Sequence, residues 1–236
     1  MTPRRLAATG LVVLLAAGPV AAQQQPNDPL EGLNRGVMVF NDGIDNAVLK
    51  PVAEGYRKVV PSFVQTAVGN FFGNLGDGWS AINHLLQGKP EPALNMTLRM
   101  AVNSTFGLGG LLDVASEAGL ERQSEDLGQT LGVWGVPTGP YLVLPLLGPS
   151  TLRDSLGVAA SMSARTSPQY TDDTGTANVA LLLNVVHTRA GLLGASRLLD
   201  DIALDRYSFL RDAYLARRKN QVYDGTPPEE GEEPAK

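Results

Sequence analysis

At 236 residues, 43% hydrophobic and 18% charged, with a mean hydropathy of -0.04, the chain can bury a core yet is short of charge for a water-soluble protein. Its net charge of -5 and pI near 5.1 exclude a nucleic-acid binder, which needs clustered positive charge. It has no cysteine, which excludes thiol chemistry, cysteine-ligated zinc and acylation of a cysteine within it.

Arg4 and Arg5 precede a largely apolar run from Leu6 to Ala17, and Val20-Ala21-Ala22 sets small residues ahead of Gln23. This is the pattern of a signal peptide over residues 1–22, cleaved between Ala22 and Gln23. The apolar run is shorter than the ~18 residues a membrane anchor needs. The mature chain is expected to be exported, with one helical domain over residues 23–223 and a disordered, acidic, proline-rich tail over 224–236.

Twenty-six glycines and sixteen prolines predict short, interrupted helices. The stretch from Asp28 to about Gly55 opens as a loop and feeds a helix that ends before Pro51. A second short helix runs from Pro51 to Val60, where Pro61 stops it. Ser62 stands as N-cap of the clearest amphipathic segment. Phe63, Val64, Ala67, Val68, Phe71, Phe72 and Leu75 recur on one side of it, with Gln65, Thr66, Asn70 and Asn74 between them. Gly76-Asp77-Gly78 predict a kink in this helix, and Gly88 its end.

Pro90 or Pro92 opens the next helix, and Gly107-Leu108-Gly109-Gly110 make a tight turn. Ser124, with Glu125 and Asp126, reads as a further helix start. Residues 137–149, rich in proline and glycine, read as a connector against apolar surroundings, and Ser150 opens a helix to about Met162. Ala177 to Val186 is apolar almost all round but too short to span a bilayer, so it is predicted to be buried or to lie in a membrane interface. The last helix covers about Asp205 to Gln221. No stretch alternates usefully as a strand, and the predicted fold class is all-α.

Little in the chain suggests catalysis. His84 and His187 have no second histidine or close carboxylate at metal-ligand spacing, and ordinary structural roles are expected of both. No Gly-x-Ser-x-Gly elbow is present, and the 107–110 glycines lack the Lys-Ser/Thr of a phosphate loop. The expectation is therefore a protein that is not an enzyme and has neither metal nor cofactor. Short helices with apolar faces and few charges point instead to surfaces that meet lipid.

Specific strings narrow this further. Asp28-Pro29-Leu30-Glu31-Gly32-Leu33-Asn34-Arg35 resembles the opening signature of the MlaA/VacJ family of outer-membrane phospholipid-transport proteins. The segment from Asn103 to Ala115 is similar to that family's central glycine motif. A third block is carried by Thr130 to Tyr141, Leu144-Pro145 and Thr151-Leu152-Arg153-Asp154, and Arg211-Asp212-Ala213-Tyr214 resembles the final helix. The likeness covers roughly residues 27 to 223 in order.

The resemblance implies a ring-like arrangement of short, kinked amphipathic helices around a central channel, set in the inner leaflet of the outer membrane. It implies a passive conduit that takes mislocalised phospholipid from the outer leaflet and passes it to a periplasmic lipid-carrier protein, with a trimeric porin holding the ring in place. Many members are lipoproteins, whereas here Leu15-Ala16-Ala17-Gly18 is followed by Pro19. A non-lipidated protein on the periplasmic side of the outer membrane is therefore expected. In such a ring Asn41, Asp42, Asn70 and Asn74 are expected to line the wet path, shaped by Gly107, Gly109, Gly110 and Asp113. Phe63, Val64, Phe71 and Phe72 are expected to face the membrane. The alternative reading is a soluble periplasmic lipid carrier with one closed apolar cavity.

Overall fold

The computed structural model describes residues 28–165 and 174–228. The signal segment, with its Ala22–Gln23 junction, and the last residues of the acidic tail lie outside them.

Helix α1 (Glu31–Ile44) does not stop before Pro51. It widens into a π-helical turn, Asp45–Leu49, and continues as α2 (Lys50–Val59). The reason is local. Proline has no N–H and its ring crowds the carbonyl four residues back, so a wider i→i+5 pattern carries the helix past it. The Lys50 N–H accordingly donates to the Asp45 carbonyl. Val60 turns extended ahead of Pro61, as a residue before proline prefers, and ends α2.

Helix α3 (Ser62–Leu86) starts at Ser62 itself, which makes no side-chain cap; the first turn is closed on the Pro61 carbonyl. It runs as one continuous helix through Gly76-Asp77-Gly78. Two glycines of α3 serve close approach. A Cβ at Gly78 would stand 2.6 Å from the Met100 sulfur, and one at Gly73 would stand 2.8 Å from the Arg122 guanidinium.

The turn through Gly88, at φ +73°, reverses the chain into α4 (Pro90–Phe106), which packs along α3. Two short helices come next, α5 (Val114–Glu117) and α6 (Leu127–Val133). Asp126, not Ser124, caps α6 by accepting from the Gln129 N–H.

The segment read as a connector contains a hairpin. β1 (Tyr141–Leu144) pairs antiparallel with β2 (Gly148–Thr151), Tyr141 opposite Thr151 and Leu144 opposite Gly148. Ser150 therefore lies in a strand, and the helix it was expected to open is α7 (Leu152–Arg165). Helix α8 (Thr174–Ile202) is 29 residues long, well beyond the apolar run that marks it in the sequence. Helix α9 (Arg206–Val222) is capped by Asp205. After α9, Asp224 and Gly225 both take left-handed backbone, and the Gly225 N–H closes on the Asn220 carbonyl.

Helices dominate, and the all-α class holds apart from the one small hairpin among the described residues. The main contacts between elements form a closed circuit. From α1 the circuit passes through the π turn to α2, from α2 to α8, and from α8 to α3. It continues from α3 to α6, α6 to α9 and α9 to β2, then through β1 back to α1. Helix α4 packs on α3 and carries α5, and α7 sits on α6 and the hairpin.

Candidate functional site

The distribution of side chains is inverted relative to a water-soluble domain. The buried apolar residues are five alanines, Met96 and Leu193, with Tyr141, Val143 and Tyr207 under the hairpin. Buried polar residues outnumber them among the described residues, and Arg99, Asn34, Asn83, Asn103 and Asp77 are all but fully enclosed. Large apolar residues meanwhile stand exposed on α1, α3, α4 and α8 and along the loops. Helix α8 contains, over Gly175–Ile202, a stretch long and apolar enough by composition to cross a membrane, of which only 11% is buried. It was expected to be buried or interfacial, and its surface is open.

The polar interior is organised by arginines. Arg99, 0% exposed, reaches Asp77 at 3.2 Å and holds both oxygens of Asp113 at 3.0 and 3.1 Å, and it also donates to the Ser116 hydroxyl and the Leu120 carbonyl. Arg122 closes the same cluster on Asp77 at 2.7 Å. Burial alone would raise the Asp113 carboxyl. Bonds from Ser116 and Asn103 and the Arg99 charge outweigh it and bring Asp113 down to about 2.

A second cluster joins α6, α7 and α9. Arg218 spans Asp126 at 2.6 Å and Asp154 at 2.9 Å, Arg153 touches Asp154 at 3.1 Å, and the Tyr214 hydroxyl donates to Asp154. Burial pushes the Asp126 and Asp154 carboxyls up, but the Arg218 guanidinium more than offsets it and both are lowered.

The hairpin is held by two asparagines of α1. Asn34 donates to the Tyr141 carbonyl at 3.0 Å and accepts from the Val143 N–H at 2.8 Å. Asn41 donates to the Leu144 carbonyl at 3.0 Å and accepts from the Leu146 N–H at 2.8 Å. Seven helical residues rise about 10.5 Å and three strand residues about 10 Å, so the two amides meet the strand in step. Tyr207 bonds both Asn34 and Asp28, and the Arg35 guanidinium lies 4.4 Å from its ring centre.

The residues singled out from the sequence fall in three places. Asn41 grips the hairpin turn, and Asp42 pairs with Arg206 at 3.0 Å. Asn70, Asn74, Gly107, Gly109, Gly110 and Asp113 come together where α3 meets the glycine turn. Asn70 donates to the Leu111 carbonyl and Asn74 to the Ser104 hydroxyl, while Oδ1 of Asn74 is buried without a partner among the described residues. Gly107 is obligatory here, since a Cβ would stand 2.2 Å from the Leu112 carbonyl oxygen. Gly110, at φ +92°, backs onto the Asn74 side chain. Phe63 and Phe71 are exposed, and Val64 and Phe72 are half-buried. His84 bonds the Gln123 carbonyl, and His187 meets the Tyr56 hydroxyl where α2 and α8 pack.

Sequence reasoning passed over Asn34, Arg99, Arg153 and Arg218. The first and third stand inside the quoted motifs, but nothing in their spacing marks them as buried. A cavity of about 580 Å³ also escaped it, between α9 and the 135–140 loop, lined by Val136, Pro140, Tyr141, Arg153, Arg211 and Lys219 among others. Among the described residues no group of three or more metal-ligating side chains is assembled.

Comparison with known proteins agrees with the sequence motifs. The family model described as MlaA lipoprotein matches residues 26–221. The chain is 36% identical over 221 residues to the intermembrane phospholipid transport system lipoprotein MlaA of Escherichia coli K12, covering 90% of this chain and 86% of that one. It is 35% identical over 204 residues to the protein of that name from Haemophilus influenzae, covering 84% and 80%. An uncharacterised protein of Rickettsia typhi is 39% identical over 127 residues, a match spanning about half (51%) of that relative's length. A solved structure, from work on the structural basis for maintenance of bacterial outer membrane lipid asymmetry, superposes with a TM-score of 0.71. It is 34% identical and is covered to 99%, against 83% of this chain.

Proposed function

The chain belongs to the MlaA lipoprotein family, and from that premise we propose that it is the outer-membrane component of an intermembrane phospholipid transport system. In this reading it takes phospholipid misplaced in the outer leaflet, conducts it through a passive amphipathic channel and delivers it to a soluble periplasmic carrier. Outer-membrane lipid asymmetry is maintained as a result. It acts by conduction rather than by catalysis.

The observation that carries the proposal is the inverted burial, with charged and amide side chains inside and large apolar residues outside. A two-chain phospholipid carries roughly 30 methylenes, and at about 0.8 kcal/mol each its passage through water costs on the order of 20 kcal/mol. A conduit must shelter the chains while the headgroup stays wet. A ring of elements with lipid on its outer surface and polar side chains within meets both demands, and the closed circuit of contacts supports such a ring. Asn41, Asp42, Asn70 and Asn74, with the 107–113 turn, belong to the polar side of this arrangement. Phe63 and Phe71, with the flanking Val64 and Phe72, belong to the lipid side.

The chain offers no thiol for acylation, so retention on the periplasmic side of the outer membrane rests on these apolar surfaces and on a trimeric porin. A soluble carrier would turn the same surfaces inward, and their exposure weighs against that reading. Deleting the gene should raise phospholipid in the outer leaflet and sensitise cells to detergent, with the intact chain restoring both. Unchanged surface phospholipid in the deletion strain would overturn the proposal.

A further inference from the structure

The geometry points to a binding site for the phosphate of a phospholipid headgroup in the cavity between α9 and the 135–140 loop. This rests on the transport reading above and gives it a named subsite. The cavity, about 580 Å³, falls within the size range of small-molecule sites. Arg153, Arg211, Arg218 and Lys219 line it with Asp28. Arg218 is tied to Asp126 and Asp154 and Arg211 to Asp28 and Asp212, which leaves Arg153, bonded to Asp154 through Nε alone, and Lys219 with N–H groups to offer.

Two of its lining side chains are buried yet incompletely used. Arg153 is 5% exposed; its Nε bonds Asp154 and its Nη1 reaches Thr138 only at 3.5 Å, while Nη2 has no partner among the described residues. Tyr141 is 5% exposed and its hydroxyl has no partner among them either. Burial pushes that hydroxyl up to about 12, so at neutral pH it keeps its proton and can donate it. Neither group is sealed off: what remains accessible of these two enclosed side chains includes the unbonded Arg153 Nη2 and the Tyr141 hydroxyl, which open on the cavity. A phosphate oxygen is the acceptor that a guanidinium fork fits.

Much of the remaining wall is apolar, with Val136, Pro137, Pro140, Leu215 and Val222 beside Thr138 and Tyr223. A free inorganic anion has no use for that half of the lining, whereas glycerol and the first methylenes of a lipid do. Gly135 and Gly139, both at positive φ, set the course of the 135–140 loop along this wall, and a Cβ at Gly139 would crowd the Leu152 side chain at 3.0 Å.

The test uses the full chain in a phosphate-free maltoside detergent. Equilibrium binding is measured for dihexanoyl-phosphatidylglycerol, for dihexanoylglycerol, which lacks the phosphate, and for inorganic phosphate. The phosphatidylglycerol should bind, dihexanoylglycerol should bind at least about tenfold more weakly, and inorganic phosphate should compete weakly. Arg153→Gln should weaken phosphatidylglycerol binding about tenfold, and Tyr141→Phe, which keeps the ring packed on Tyr207 and Tyr214, about threefold.

Equal binding of the two glycerolipids, or full affinity in the folded Tyr141→Phe and Arg153→Gln proteins, would overturn the assignment. Inorganic phosphate binding as tightly as the lipid would overturn it in favour of a free-anion site. Cells separate this failure from failure of the transport reading. If only the subsite is wrong, both variants restore lipid asymmetry to a deletion strain in full. If transport itself is wrong, deletion leaves asymmetry untouched whatever the binding assay reads.

Discussion

Asn34 is 1% exposed and uses both ends of its amide on the backbone of β1. Asn34→Ala leaves the Val143 N–H and the Tyr141 carbonyl without those bonds in a dry setting. The cost is expected to be roughly 2–4 kcal/mol, read as a fall in the midpoint of thermal unfolding. Asp113 shows the electrostatic counterpart. An ordinary aspartate titrates near 3.8, and this one is held at about 2. Its folded value is depressed, so its contribution to stability is complete above the unfolded value and is lost as pH falls from about 4 to about 2. Asp126 and Asp154, lowered by Arg218, add loss in the same direction. Unfolding measured by circular dichroism should therefore steepen below pH 4, and Asp113→Asn should flatten part of that slope while lowering stability at pH 7. A pH profile identical to wild type would contradict this. None of these roles could be read from the chain itself. Asn34 lies in the opening motif and Asp113 in the glycine motif, but an asparagine or aspartate looks the same whether it faces water or a buried guanidinium.

Among the elements, those defined by a regular apolar period were legible, and those built around proline were not. The amphipathic segment from Phe63 and the final basic helix are present as α3 and α9. Pro51 was read as a break, yet the π turn passes it, because a helix with neighbours on α8 can widen at lower cost than it can end. The hairpin was read as a connector because strands of four residues containing Pro149 show no measurable alternation. The end of α8 was missed because charged residues from Arg189 onward dilute the apolar signal without stopping the helix. Its outer face carries Leu181 and Leu182, more than half exposed. Replacing both with lysine should shift the protein from the membrane to the soluble fraction while its helical circular dichroism is kept, since each lysine costs about 2.5–3.5 kcal/mol at bilayer depth. Unchanged partitioning would mean that α8 does not face lipid.

At the scale of the molecule, the helical class and the surplus of apolar surface were legible, but not the order in which elements meet. That order depends on long-range pairs such as Arg189 with Asp45 and Arg218 with Asp126, which no local pattern announces. On the proposed attachment through apolar area rather than charge, membranes washed in 1 M salt should retain the protein and detergent should release it. Release by salt alone would place it at the surface of the bilayer. The paired amides of α1 also guard the chain on its way there. A bare two-stranded hairpin offers an unpaired flank on which a foreign strand can template itself. Here a helix occupies that flank with side chains that mimic peptide groups, so the protein presents no aggregation-prone border at β1 before it reaches its bilayer.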